Sequence, residues 1–323
     1  METPVTPPAM GFAEKLMSVK RHTLYLLLIV ATSVPTFFSI TLPNKPDQPS
    51  IDFFTTVMAL PEGSTILIET DWTKSTRGDS MGQMQALLRI LMRHNIKFAI
   101  YSTADPAAPQ VARDTIGRVS EERRAKGERP YVRWEDWVDL GYFPNSEATN
   151  NAIATNIRKA FAGKTEVPGV GQPATDVFRS PVLSHIQKVG DMPLLLVVTA
   201  SKTFDIIVER LYGKVPLAAM VTGVMGPEST VYYASGQMVG LCVGLKGALD
   251  IERMMESGVN NPPDKPVVVN KKNPEVVPGF PGDDNEGNGK AYYPTLHLAL
   301  TLMILAVIIG NIGMVLTRKG AKS

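Results

Sequence analysis

Three kinds of hydrophobic pattern run along the chain. The first is unbroken. Thr23 to Leu42 reads TLYLLLIVATSVPTFFSITL, and Leu296 to Thr317 reads LHLALTLMILAVIIGNIGMVLT, neither containing Asp, Glu, Lys or Arg. A helix of that length covers the ~30 Å hydrocarbon layer of a bilayer. Two transmembrane helices are therefore expected, at residues 23–42 and 293–317. Pro35 kinks the first, which a spanning helix tolerates. Lys20-Arg21 ahead of this run also fits a signal peptide. No A-x-A site follows, so an uncleaved anchor is the expectation.

The second pattern is short and continuous: Thr65–Glu69 (TILIE), Ile96–Tyr101 (IKFAIY), Leu194–Thr199 (LLLVVT) and Val215–Val221 (VPLAAMV). Runs of four to eight apolar residues bounded by turn signals read as buried strands. The third repeats every 3.6 residues. Met81, Met84, Leu87, Leu88 and Leu91 share one face of a helix expected over Ser80–His94. Further helices are expected at 105–126, 146–161, 177–188 and 203–212, and as one long helix from Pro227 to Glu256. Fully apolar strands alternating with helices predict a mostly parallel sheet covered on both faces. With right-handed crossovers the fold class is α/β, a Rossmann-like three-layer sandwich flanked by an N-terminal and a C-terminal transmembrane helix.

The layout follows. Residues 1–22 are a tail, disordered over 1–10 and an amphipathic helix over 11–22. Residues 43–63 are a linker, 64–256 the α/β domain, 257–292 a Pro/Gly/Asn-rich flexible tether, and 318–323 a second tail. Lys15, Lys20 and Arg21 precede the first apolar run. Arg318, Lys319 and Lys322 follow the second, while only Lys45 and Lys290 stand close on the facing sides. The positive-inside bias then puts both termini in the cytoplasm and the domain outside it.

Composition narrows the function. A net charge of +2 over 323 residues gives no strongly basic face for nucleic acid. One cysteine, Cys242, excludes an internal disulfide and a cysteine-built metal site; in VGLCV it reads as a small buried hydrophobe. No metal-ligand spacing appears, no G-x-S-x-G is present, and no cofactor is expected. Gly163-Lys164-Thr165 fails the phosphate-loop spacing because Arg158 stands where a glycine is needed.

In a parallel sheet, ligands bind beyond the carboxyl ends of the strands. Those ends carry Glu69, Asp71 and Thr73; Ser102 and Thr103; Thr199, Ser201, Lys202 and Thr203; and Thr222 and Glu228. Such a rim suits a small polar or anionic ligand, with Lys202 as its charge partner. The same residue types also cap helices wherever a strand turns into one. Glu69-Thr70-Asp71-Trp72-Thr73 at the end of an apolar strand, a helix, then a strand ending in Ser102-Thr103, resembles the first motif of haloacid dehalogenase-type phosphatases, Asp-x-Asp-x-Thr. The resemblance implies a nucleophilic aspartate at position 69, which here is Glu69. No acidic pair after a later strand supplies the family's Mg²⁺ site.

Two stretches point to protein contacts. Trp134, Trp137, Tyr142 and Phe143 crowd one segment, and aromatic residues anchor interfaces. Gly236, Gly240 and Gly244 recur every four residues along the expected long helix, where a glycine stripe admits a second backbone. Ala306 and Gly310 form a small-xxx-small pair in the C-terminal run. The resulting expectation is a membrane-anchored, non-enzymatic scaffold or partner-binding subunit, with a protein partner or a second copy. A ligand sensor and a degenerate phosphatase-like hydrolase are the alternatives.

Overall fold

A computed structural model describes residues 20–38, 42, 45–260, 276–283 and 285–320. The tail and amphipathic helix expected before Lys20 lie outside these residues, as do 261–275 of the tether and the last three positions. The chain divides into a body, Asn44–Lys290, and a second unit comprising Met1–Pro43 and Ala291–Ser323.

The body is built on six parallel strands: β1 (Thr65–Asp71), β2 (Lys97–Ser102), β3 (Trp137–Tyr142), β6 (Leu195–Thr199), β7 (Leu217–Val221) and β8 (Gly240–Val243). β4 (Thr165–Glu166) and β5 (Thr175–Asp176) form a separate two-residue ribbon. The sheet order is β3-β2-β1-β6-β7-β8. Leu67 of β1 sits between Ala99 of β2 and Leu195 of β6. Every residue of β1, β6 and β7 is buried, which is why these strands read as continuous rather than alternating apolar runs.

Strand alternation sorts the side chains into two cores. Ile66 and Ile68 enter one, beneath α2 (Gln48–Met58), α3 (Arg77–Arg93), α4 (Ala108–Ala125) and α8 (Gly244–Ser257). Leu67 enters the other, beneath α5 (Ser146–Ala160) and α6 (Phe204–Leu211). Each fully buried Leu or Ile contributes about 1.5–3 kcal/mol. The layers are those of an α/β Rossmann-like fold.

On the face of β8, α2 lies so near that a Cβ on Gly240 would stand 2.4 Å from the Phe53 Cα. At β3, the Asp139 N–H donates to Glu166 Oε1 at 2.8 Å, and the Gly141 N–H donates to Asp139 Oδ1 at 2.8 Å. Arg133 holds Glu166 in place at 2.6 Å. Unpaired edge donors invite pairing with another chain, and these carboxylates occupy them.

Three expectations about local structure change. The stretch 43–63, read as a linker, contains α2, whose Phe53, Phe54 and Val57 are wholly buried. Asp47 accepts the Ser50 N–H at 3.0 Å and Pro49 lies in the first turn, a capping pattern that starts the helix there. The long helix expected from Pro227 to Glu256 is instead α7 (Gly226–Ala234), a turn, β8 and α8. Gly236 sits in the turn with φ +76 and Gly244 opens α8 with φ +57, so no glycine stripe runs along one helix. Within 177–188 only Val177–Arg179 is helical, as a single 3-10 turn; Ser180 is extended and precedes Pro181, which bars continuation.

Residues 276–283 and 285–290, expected as flexible tether, are packed on the body. Arg89 donates to the Glu286 carbonyl at 2.7 Å, and Arg93 to Asn285 Oδ1 at 2.6 Å. The buried Glu252 carboxylate accepts the Gly289 and Lys290 N–H groups at 2.9 and 2.7 Å, capping the start of α9 (Asn288–Gly320). At the other end of the body, the Asp47 N–H donates to Asp250 Oδ2 at 3.3 Å, and Lys246 joins Asp47, Asp250 and the Lys45 carbonyl. Both ends of the body are thus fastened to α8, two residues apart at Asp250 and Glu252.

In the second unit, α9 over Asn288–Val315 is long and apolar enough to cross a membrane. The first apolar run forms α1 (Arg21–Phe37) with Pro35 inside it, and its apolar segment, His22–Pro35, is shorter than a span.

Candidate functional site

The strand order reverses between β1 and β6: the chain proceeds outward through β2 and β3, then returns to β6 and proceeds the other way. In open α/β sheets this switch point is where the ligand crevice opens, beyond the strands' carboxyl ends. β1 ends there with Glu69 and Asp71, two residues apart and so on one face, that of Leu67. The N-terminal turns of α5 and α6 lie over the same face, bringing Thr203 to Asp71, and Ser146 and Asn150 to the Thr103 and Tyr101 hydroxyls that donate to Glu69.

The result is a closed polar network. Asp71 Oδ1 accepts the Ser102 hydroxyl at 2.6 Å, the Thr103 N–H at 2.9 Å and the Ala104 N–H at 3.1 Å. Its Oδ2 accepts the Thr203 hydroxyl at 3.1 Å. Glu69 Oε1 accepts the Thr103 hydroxyl at 2.5 Å, and its Oε2 accepts the Tyr101 hydroxyl at 2.6 Å. The Tyr101 oxygen also lies 3.0 Å from Asn150 Oδ1, and Asn150 donates to Ser146 at 3.1 Å through the backbone carbonyl. Glu69 is 0% exposed and Asp71 2%.

Burial pushes the Glu69 carboxyl well above the usual carboxylate range; the Asp71 charge and a hydrogen bond to Asp71 push the same way. Burial, then the Glu69 charge, likewise raises the Tyr101 phenol. Of the two, Glu69 is the carboxyl whose protonated form burial favours. Asp71, ringed by donors, is the acceptor. A carboxylate takes about four hydrogen bonds, and Ser102, Thr103, Ala104 and Thr203 already supply four to Asp71, besides the one it shares with Glu69. Among the described residues, no group of three or more His, Cys, Asp or Glu side chains is placed to hold a metal ion.

Of the residues expected on the rim, Glu69, Asp71, Ser102, Thr103 and Thr203 share this network. Thr199 and Ser201 adjoin it: the Ser201 N–H donates to Thr199 Oγ1 at 2.9 Å, and Thr203 Oγ1 reaches Ser201 Oγ at 3.1 Å. Thr73 instead closes a local turn with Ser75 and Thr76. Lys202 is exposed, Thr222 precedes a 3-10 turn, and Glu228 lies in the first turn of α7. Tyr101, Ser146 and Asn150 were not anticipated. Tyr101 carried a signal, a polar-tipped aromatic two residues before Thr103 on an otherwise apolar strand. Ser146 and Asn150 carried only their i, i+4 spacing.

The aromatic segment is largely internal. Trp137 is 7% exposed and stacks on Phe98, with the Arg133 guanidinium 5.3 Å above it. Phe143 packs edge-on against Phe161. Trp134 has φ +76 and donates its N–H to the Trp137 carbonyl at 2.7 Å. Tyr142 is half-buried.

In comparisons with known proteins, no family model, curated protein or solved structure matches the chain.

Proposed function

We propose that this chain is a membrane-attached, non-enzymatic scaffold or partner-binding subunit that presents a rigid α/β body. The observation that carries the reading is the filled switch point. Where such a sheet takes its ligand, the hydrogen-bonding capacity of Asp71 is used by Ser102, Thr103, Ala104 and Thr203 of the same chain. Turning this network to chemistry or ligand capture requires those donors to leave a buried carboxylate, each at a cost of about 1.5–3 kcal/mol.

Attachment rests on α9. The positive-inside pattern supports a body outside the cytoplasm and a second anchor at the N-terminal apolar run. The fastening of both body ends to α8 supports it too, because both connections then leave from one region of the body.

Protease accessibility tests the arrangement. In intact spheroplasts, added protease is expected to cut within the body and spare both termini. Protection of the body until lysis refutes the orientation. Turnover of generic phosphoesters by the purified chain, lost in Asp71→Asn, would replace the scaffold with the hydrolase.

A further inference from the structure

The second unit contains an apolar groove of about 630 Å³ between α1 and α9. Leu24 and Leu27 line it from α1; Ala306, Gly310, Asn311 and Met314 are among its lining residues from α9. Asn311 is the one polar side chain in that lining. A carboxamide has two N–H donors and an acceptor oxygen. In hydrocarbon there is no water to satisfy them, so an amide facing lipid is costly until another polar group meets it. Beside it, Gly310 has open space where a Cβ would stand, so a second helix can approach the backbone closely.

We propose that two copies of this chain pair in the membrane through α9, each presenting Asn311 to the other's Asn311 across a two-fold axis. The inference deepens the scaffold reading and rests on α9 being membrane-embedded. A second copy is the occupant because the amide is self-complementary: donor meets acceptor twice when two carboxamides face each other. A two-fold axis brings the second amide to the same depth without a separate match. No charge lines the groove, so nothing in it selects a partner by ion pairing. Gly310 sets the approach distance, and the aliphatic wall from Leu24 to Met314 supplies the packing surface.

The test uses full-length chains carrying donor or acceptor fluorophores at the C-terminus, reconstituted together in phosphatidylcholine vesicles at low protein-to-lipid ratio. Energy transfer is expected in the native chain. Asn311→Val should weaken association about five- to thirtyfold, the range for loss of one interhelical polar contact. Gly310→Leu should weaken it as much by blocking approach, while Asn311→Gln, which keeps the amide, should retain transfer. Alkaline carbonate washing of the same vesicles separates the two levels. A chain that stays in the membrane but shows no transfer, or the same transfer in Asn311→Val, overturns the pairing and leaves attachment standing. A chain washed off the vesicles overturns attachment, and the pairing with it.

Discussion

Replacing each member of the buried carboxyl pair by its amide should have unequal effects. Burial favours the protonated form of Glu69, and Glu69→Gln places a neutral group of the same length there. The new amide nitrogen takes up the hydrogen bond that Glu69 shares with Asp71. The remaining oxygen keeps one hydroxyl donor, and Tyr101 can turn to Asn150 Oδ1, 3.0 Å away. One neutral hydrogen bond replaces another, and the net change is within about 1 kcal/mol. Asp71→Asn removes the charge that Ser102, Thr103 and Ala104 converge on. Each loses the difference between a charged and a neutral acceptor, about 1 kcal/mol, and an amide nitrogen also faces the Thr203 hydroxyl. The expected cost is about 3 kcal/mol. Urea unfolding of the detergent-solubilised chain at pH 7, followed by tryptophan fluorescence, resolves this, because buried Trp72 directly follows Asp71. With a slope of about 1–3 kcal/mol per molar urea, Asp71→Asn should move the midpoint by about 1 M or more. Equal losses in the two variants would refute the reading that burial favours the protonated form of Glu69.

Three further outcomes follow from the body. Burial raises the Glu252 carboxyl to about 7. A carboxyl whose folded value exceeds its unfolded one contributes stability at low pH that is lost as pH rises through the folded value. The native chain should therefore lose up to about 3 kcal/mol of stability from this group between pH 5 and 8, and Glu252→Gln should flatten that slope in a pH series of thermal melts. Gly240→Ala should cost about 1–3 kcal/mol or more by forcing α2 off β8, read as a lowered melting temperature. Lys246→Ala removes the Lys246 contact from Asp250, whose side chain is fully buried; with Lys246 31% exposed, a loss of about 1–2 kcal/mol in urea unfolding is expected.

Much of the layering was legible because burial on both faces leaves a plain mark. TILIE, LLLVVT and their neighbours have no polar alternation, and only a covered parallel sheet accounts for that. The carboxyl pair was legible for the same reason: two acids at the end of such a run share a face. β8 was not. GLCV is four residues long, and the flanking sequence reads as helix on either side. Only the glycines, each unfavourable in a helix by about 1 kcal/mol, spoke against one continuous helix. Asn150 was hidden by sequence distance, being 49 residues from its partner Tyr101. α2 carried its start signal in Asp47-Gln48-Pro49, which proximity to the apolar run obscured.

The fastening of both body ends to neighbouring residues of α8 has a mechanical consequence. Tension drawn through the two connections passes from the Lys246–Asp250 contacts to the Glu252 cap within about two turns of one helix. The six strands lie outside that path. Under load the end contacts would peel away first, lengthening the connections while the sheet stays folded.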